Sequence, residues 1–318
     1  MKLVSWNIRG CNHPRKMKTL ARKIKQEKPT VLFLQETKCS SESMEGYSQR
    51  IWKGCRVIAT DAKGMSGGMA ILWQPSRNNM TAGRANTFSV TMDFAIEGRN
   101  VKGTLVNIYG PSAFAKKQSI LNFLRWQADQ ASVGSWVLGG DFNLITSLLE
   151  KKGGRRELDK FQEAFGEILT RSALLDVETG NGWFTWNNKR GGHHLVASRL
   201  DRFLASEEVS RVGGGLVASV LPSVGSDHWP ISLQWDWSSE ALRKPFRFEK
   251  FWLEHKDFKD LVAQWWKEAI IPEGTNMFFF QKKLLALKIK ICEWNRDHFG
   301  NIFQDKAQMQ RDIEVLYR

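Results

Sequence analysis

The feature that most narrows the fold is a succession of short apolar runs, each closed by a turn residue and an acid, an amide or a tyrosine. Between residues 1 and 237 they read "KLVSWN", "TVLFLQE", "GMAILWQ", "FSVTMDFAI", "KGTLVNIYG", "SWVLGGDFN", "RLDRFLAS" and "ISLQW". Runs of this length, rich in Val, Ile, Phe and Trp and bounded by Gly, Pro or Asn, predict strands. Helical spacing breaks in three times. From His13 to Glu27, Met17, Leu20, Ala21 and Ile24 oppose a Lys/Arg face; a second stretch after Pro111 carries Ile120, Leu121 and Leu124; a third runs from Leu158 through Phe161, Phe165, Ile168 and Leu169. Strands outnumber helices, which predicts an α/β chain of two packed sheets with helices outside.

Beyond Trp237 the texture changes to "FWLEHKDFKDLVAQWWKEAI", a Pro-Glu-Gly break, and a long Lys-, Leu-, Glu- and Gln-rich segment to Arg318. The expected organisation is a domain over 1–237 and a helical appendage over 238–318. The charge is uneven too: 32 Lys+Arg face 21 Asp+Glu up to Trp237, against 15 and 12 after it, within a net charge of +14. Such an excess in the first part points to a polyanionic partner. No apolar run approaches the ~18 residues that span a bilayer, so no membrane partner is expected, and "MKLVSWNIRG" turns polar too soon for a secretory leader. Cys11, Cys39, Cys55 and Cys292 lie far apart with no C-x-x-C pair. That argues against a zinc site or disulfide framework and for a reducing, intracellular location.

The polar residues that close the runs are the candidates for chemistry. Asn7 ends the first run, Glu36 follows the second in "QET", Tyr109 ends the run near 105, and Asp141 and Asn143 stand in "GGDFN". Asp201 opens the run near 201, while "GSDHWPI" sets Asp227 and His228 in a loop between two strands. Brought to one sheet edge they would line a single cleft, because loops on a rigid sheet carry function. Hard oxygen donors such as Asn7, Glu36, Asp141, Asn143 and Asp227 suit Mg²⁺. Each residue alone has a structural explanation as well: a turn, a helix cap, a strand-end aromatic or a salt bridge.

In order along the chain, "SWNIRG", "LFLQETK", "VNIYGPS", "LGGDFN", "SRLDRFL" and "GSDHWPI" resemble the endonuclease/exonuclease/phosphatase superfamily. Over about residues 1–237 the details look most like the endonuclease domain of plant LINE-type, non-LTR retrotransposons, related to abasic-site endonucleases of the exonuclease III kind. The tail is similar to the segment such polyproteins carry between endonuclease and reverse transcriptase, and a reverse transcriptase domain is expected to be absent from this chain. The resemblance implies a DNase I-like, four-layer α/β sandwich of two mixed β-sheets flanked by helices.

It also implies metal-assisted hydrolysis of a phosphodiester, with Mg²⁺, or Mn²⁺ in its place, as cofactor and DNA as substrate. By motif match Glu36 binds the metal with Asn7 beside it. Asp141 activates water, Asn143 holds that water and the phosphate, and Tyr109 bonds a phosphate oxygen. His228 pairs with Asp201, Asp227 completes the acidic rim, and both Asp227 and His228 count among the implied metal-site residues. Thr185, in "WFTWNN", and the basic group Lys151, Lys152, Arg155 and Arg156 are expected at the phosphate or the DNA backbone. Two departures favour the retrotransposon kind over the repair kind. After Asn7 come Ile8, Arg9 and Gly10, where abasic-site enzymes often carry an acidic or polar residue, so a second carboxylate at the metal is lacking, and Ser198 precedes the R-x-D motif where they carry an aromatic. The expected function is a DNA-nicking endonuclease, nuclear if its substrate is chromosomal. The rival readings are an inactive mobile-element remnant or binding module, a small-molecule or lipid phosphoesterase, and an abasic-site repair enzyme.

Overall fold

The computed structural model describes residues 1–64, 66–75, 79–96, 101–131, 135–155, 157, 159–171, 174–206, 208–209, 215–235, 248, 250–269, 280, 283–284, 286–288, 290–291 and 293–295. Leu158 and Cys292 therefore lie outside the described residues. The chain divides into two compact units, Met1–Ala241 and Leu242–Arg318.

The first unit is built on two six-stranded sheets. One contains β1 (Lys2–Asn7), β2 (Val31–Gln35), β3 (Arg56–Lys63), β4 (Ser66–Trp73), β14 (Leu216–Val220) and β15 (Ile231–Trp235) in the order β14-β15-β1-β2-β4-β3. The other contains β5 (Asn79–Ala85), β6 (Ser89–Ile96), β7 (Val101–Tyr109), β8 (Ser135–Asp141), β10 (Leu174–Val177) and β13 (Asp201–Ser206) in the order β10-β13-β8-β7-β6-β5. Both sheets are mixed, since β1 runs parallel to β2 and β7 to β8 while the other pairs are antiparallel. A third sheet of short strands, β11 (Trp186–Asn187), β12 (Ala197–Ser198) and β9 (Lys151–Lys152), lies beside them in sequence.

The period-two alternation of strand side chains sorts each strand's residues between two cores. Leu3, Phe33, Leu105, Val137 and Phe203 face inward and form one buried cluster with residues of both sheets. Val4, Trp6, Leu32 and Leu34 face outward and pack with Leu20 and Ile24 of α1 (Pro14–Glu27) and Met44 and Ile51 of α2 (Ser41–Ile51). On the opposite outer face Val106, Ile108, Leu138 and Leu204 pack with Ile120, Leu121 and Leu124 of α3 (Lys117–Ala131) and Phe161, Phe165 and Ile168 of α4 (Lys160–Arg171). The result is the expected four-layer sandwich.

Local chemistry explains the helix bounds. Pro14 starts α1 behind His13, whose Nδ1 accepts the Arg15 N–H at 3.2 Å, and Lys28, at φ 47°, ends it by donating to the Ile24 carbonyl. In the second unit a helix spans Phe258–Glu268, and Trp252, Phe258, Ile291 and Trp294 form a small buried cluster. Among the described residues no helix is long and apolar enough to cross a membrane.

Near the start of β13 three buried charges, Glu150, Arg199 and Arg202, meet the half-buried Asp176. Arg199 bonds Asp176 through both terminal nitrogens, at 2.8 and 2.7 Å, and Glu150 at 2.8 Å. Arg202, fully buried, bonds Glu150 at 2.8 and 3.1 Å and Asp176 at 2.7 Å. Burial works against both carboxylates, but the two guanidinium groups overcome it and hold Glu150 and Asp176 below the usual carboxylate range. Removing one member strands the others, which typically costs about 3–5 kcal/mol. Glu150→Ala is expected to lose stability of that order in urea unfolding; a loss under about 1 kcal/mol would show that the arginines find water instead.

Candidate active site

The inward rows of several strands end in polar residues at the same end of the two sheets. Along β1 the row runs Leu3, Ser5, Asn7; along β7 it runs Leu105, Asn107, Tyr109; along β8 it runs Val137, Gly139, Asp141. Register then sets Tyr109 beside Asp141 and Asp141 beside Asp201, while Asn7 pairs with Gln35, one residue before Glu36. Gly140 permits the turn into Asp141, because it sits at φ 147° and a Cβ there would lie 2.0 Å from the Ile108 carbonyl oxygen.

Asp141 is buried among amides. Its Oδ2 accepts Asn7 Nδ2 at 2.9 Å and Asn143 Nδ2 at 3.1 Å, and its Oδ1 accepts the Asn143 N–H at 2.9 Å. Burial pushes its carboxyl up to about 7 against the pull of nearby His228, with the Asp201 charge adding to the rise. A carboxylate poised there is suited to take a proton near neutrality.

His228 stands between two acids, Nδ1 at 2.9 Å from Asp201 Oδ2 and Nε2 at 3.8 Å from Asp141 Oδ2. Burial alone would depress its pKa, but Asp201 and then Asp141 raise it to about 9, so the ring is an imidazolium at neutral pH. Its loop is seated by its own carbonyl, which accepts Trp6 Nε1 and Ser223 Oγ, and by Ser226 Oγ, which donates to the Asn7 carbonyl at 2.8 Å.

Glu36 takes φ 50° just past β2. Its Oε1 accepts the Tyr109 hydroxyl at 2.9 Å and Asn7 Nδ2 at 3.3 Å, and Lys38 Nζ lies 3.4 Å from Oε2. Burial, then the Glu36 charge, raises the Tyr109 phenol far above its ordinary value, so it stays a donor.

The structure thus brings Asn7, Glu36, Tyr109, Asp141, Asn143, Asp201 and His228 together. Asn7 turns its oxygen back to accept the Arg9 N–H at 3.2 Å and presents its amide nitrogen to both acids, so it bridges the two carboxylates. Asn143 likewise meets Asp141 through nitrogen. Asp227 is committed elsewhere: Oδ1 accepts Arg9 Nε at 2.9 Å, while Oδ2 accepts Arg9 Nη2 at 2.8 Å and Trp186 Nε1 at 3.0 Å. Its position on the rim of the cleft is thus shared with Arg9 and Trp186. Thr185 is fully buried and its hydroxyl accepts the N–H groups of Leu200 and Asp201 at 3.0 and 2.9 Å, so it fixes the Asp201 backbone rather than reaching a phosphate.

Of the basic group, Lys151 and Lys152 form β9, Lys151 donates to the Arg155 carbonyl, and Arg155 pairs with Glu157. Arg156 lies outside the described residues. Arg9, Lys38 and Trp186 reach the site without having been singled out for a role. The signal for Arg9 was its place two residues after Asn7.

Donor atoms of Asp141, Asp201 and His228 lie within 4.8 Å of one another, a spacing open to a metal ion. A protonated imidazole, however, repels a cation and has no lone pair to give. The Glu36 carboxylate is the better first ligand, with Asp141 facing it across the shared Asn7 amide. These hard oxygens fit a divalent cation of the Mg²⁺ type. The Asp201 Oδ1, buried without a hydrogen-bond partner, marks unspent negative charge in the same cleft.

Residues 4–228 match the Endonuclease/Exonuclease/phosphatase family. The chain is 25% identical over 281 residues to the "Transposon TX1 uncharacterized 149 kDa protein" of Xenopus laevis, covering 84% of this chain but only 20% of that protein's length. It is 28% identical over 268 residues to "DNA repair nuclease APEX1" of Danio rerio, covering 73% of this chain and 81% of that one. Among solved structures, the endonuclease domain of TRAS1, a telomere-specific non-LTR retrotransposon, superposes with a TM-score of 0.58 at 18% identity, covering 75% of this chain and 99% of the domain. With the match spanning most of the first unit and the acids, amides and histidine of its motifs meeting in one cleft, the chain belongs to the endonuclease/exonuclease/phosphatase family of hydrolases.

Proposed function

We propose that this protein is a Mg²⁺-dependent endonuclease that nicks DNA, of the retrotransposon type, with Mn²⁺ able to stand in for Mg²⁺. The observation that carries the reading is the pairing of a carboxylate poised near neutrality, Asp141, with a buried imidazolium, His228, beside the metal-suited Glu36. The basic excess of residues 1–237 supports a polyanionic substrate, and the Danio rerio relative is named a DNA repair nuclease.

A phosphodiester anion repels an incoming nucleophile, so the site must supply positive charge, a base and fixed donors. Glu36 would hold the ion, which when bound would polarise the phosphate oxygens. Asp141 takes the proton of a water kept in place by the Asn143 amide, the water oxygen bonds to phosphorus, and the P–O bond to the leaving oxygen breaks. Tyr109 donates to a phosphate oxygen. His228, held in orientation by Asp201, lies where it can neutralise the charge that grows on phosphorus. The activity is assigned to residues 1–237, with 238–318 as an appendage.

Plasmid nicking with Mg²⁺ and with EDTA is the direct test. Glu36→Gln and Asp141→Asn are each expected to lower the rate, the latter by about 10²–10⁴, with thermal unfolding unchanged. Wild-type rates in both variants would place the chemistry elsewhere. A fragment ending at residue 241 should nick like the full chain.

The two titrating groups set a pH profile. Activity needs Asp141 ionised and His228 protonated, so kcat/KM should rise as pH passes through about 7 and fall above about 9. Bound metal moves the acid limb lower, because positive charge favours the carboxylate. Asp201→Asn removes the negative charge that most favours the imidazolium, so its alkaline limb should move to lower pH. An unmoved limb would detach His228 from the profile.

Weak preference for abasic sites is the third expectation. In the repair kind an aromatic before the R-x-D motif walls the pocket for the flipped-out sugar; here Ser198, buried in β12, offers no such face. At about 25 cal/mol per Å² the lost contact amounts to roughly 1–3 kcal/mol, or about one to two orders of magnitude in selectivity. Cleavage of one duplex with and without a single abasic analogue measures it. A preference above about a thousandfold would return the protein to the repair branch.

A further inference from the structure

Arg9 is held in place by its own loop. At φ 56° its backbone N–H donates to Asn7 Oδ1, Gly10 N–H donates to the Glu36 carbonyl at 2.7 Å, and Lys16 Nζ bonds the Ile8 and Arg9 carbonyls at 2.5 and 2.8 Å. The guanidinium so placed spans two acids from different loops. Nε and Nη2 grip both oxygens of Asp227 at 2.9 and 2.8 Å, and Nη1 stands 3.7 Å from Glu36 Oε1. Trp186 Nε1 adds a third donor to Asp227. A carboxylate gripped in this two-point fashion, with a neutral N–H as well, has its lone pairs directed at donors and its charge balanced.

We propose that Arg9 is a specificity-determining residue of the metal site: by locking Asp227 it denies a second divalent ion the Glu36–Asp227 edge and leaves a one-ion site centred on Glu36. This rests on the metal-dependent reading above and goes beyond it to the number of ions. Arginine suits the task better than lysine, because a planar fork meets both carboxylate oxygens at once and still turns an edge toward Glu36, whereas an ammonium meets one point. The charge is also permanent, so the lock does not open as pH changes. Lys38, 3.4 Å from Glu36 Oε2, makes no bond to Asp227 and cannot replace the lock.

The test is Mn²⁺ binding to the full chain without DNA, read by the electron paramagnetic resonance of free Mn²⁺ over a titration. The wild type is expected to bind one ion, and Arg9→Gln and Arg9→Ala to bind two. Arg9→Gln combined with Asp227→Asn is expected to return to one. Two independent single variants guard against one that fails to fold, and the combination shows that the new ion sits on Asp227. Two ions on the wild type, or one ion on both folded single variants, would overturn the proposal while leaving metal-dependent nicking intact. A wild type that binds no Mn²⁺ would overturn both readings together.

Discussion

The site depends on a buried imidazolium held between two buried carboxylates. Asp141 and Asp201 face each other directly across the β8–β13 pair, a juxtaposition of like charges that destabilises a sheet unless something intervenes. His228 intervenes from the other sheet's loop, hydrogen-bonded to one acid and 3.8 Å from the other. Burial raises the cost of leaving any of the three uncompensated. The same contact that makes the chemistry possible therefore also ties the loop before β15 to the edge of the opposite sheet. Arg199 and Arg202, two residues before and one after Asp201, are turned to Glu150 and Asp176. That separation keeps their permanent charges from quenching Asp201 and leaves the titratable histidine as its partner.

Between the apolar core and this charged rim lies a neutral polar layer. Gln35 Nε2 donates to Asn107 Oδ1 at 2.6 Å and to Ser5 Oγ at 3.0 Å, and Asn107 Nδ2 donates to the Leu34 and Ala70 carbonyls at 3.0 Å. Ser5 and Asn107 sit on inward positions one row below Asn7 and Tyr109, and Gln35 sits in register with Asn7, one residue before Glu36. They join the two sheets by directed bonds where side-chain packing alone would permit sliding, so the carboxylates above are fixed before substrate arrives. Pre-organisation of this kind is what lets fixed charges act without rearranging during reaction.

How much of this was legible follows from where each residue sits in the sheets. The eight runs read as strands became β1, β2, β4, β6, β7, β8, β13 and β15, because most are flanked on both sides and buried on both faces, so their apolar runs are long. The edge strands β3, β5 and β10 escaped, since an edge strand has one neighbour and its pattern is diluted by exposed polar residues. Helix α2 escaped for a similar reason: "SESMEGYSQRI" buries only Met44, Ser48 and Ile51, and its start is set by Ser40 Oγ accepting the Ser43 N–H at 3.1 Å. The strand-end acids were legible because burial forces an unusual residue to stand out in an apolar run. Partner choice was legible only where the resemblance supplied it, as for His228 and Asp201. Nothing in "GSDHWPI" says that Asp227 meets Arg9, because that depends on which loop crosses the sheet edge. The buried arginines were equally hidden, since a charged pair in sequence looks like surface.

Three of the site residues share one backbone device. Arg9, Glu36 and Asn143 follow the ends of β1, β2 and β8, and all are non-glycine residues at positive φ, 56°, 50° and 51°. Such a residue costs about 1–2 kcal/mol relative to the right-handed region, less for asparagine, which visits the left-handed region readily. Each is held by a specific acceptor or donor: Asn7 Oδ1 takes the Arg9 N–H, the Glu36 carbonyl takes the Gly10 N–H, and Asp141 Oδ1 takes the Asn143 N–H. Two of these holders are themselves site residues, so the groups that do the chemistry also stabilise the turns that aim them. A left-handed residue immediately after a strand sends the chain away from the sheet while leaving the last inward side chain at the rim. The strain is thus local and repeated, and it falls where strands from both sheets must end together for their acids to share one cleft.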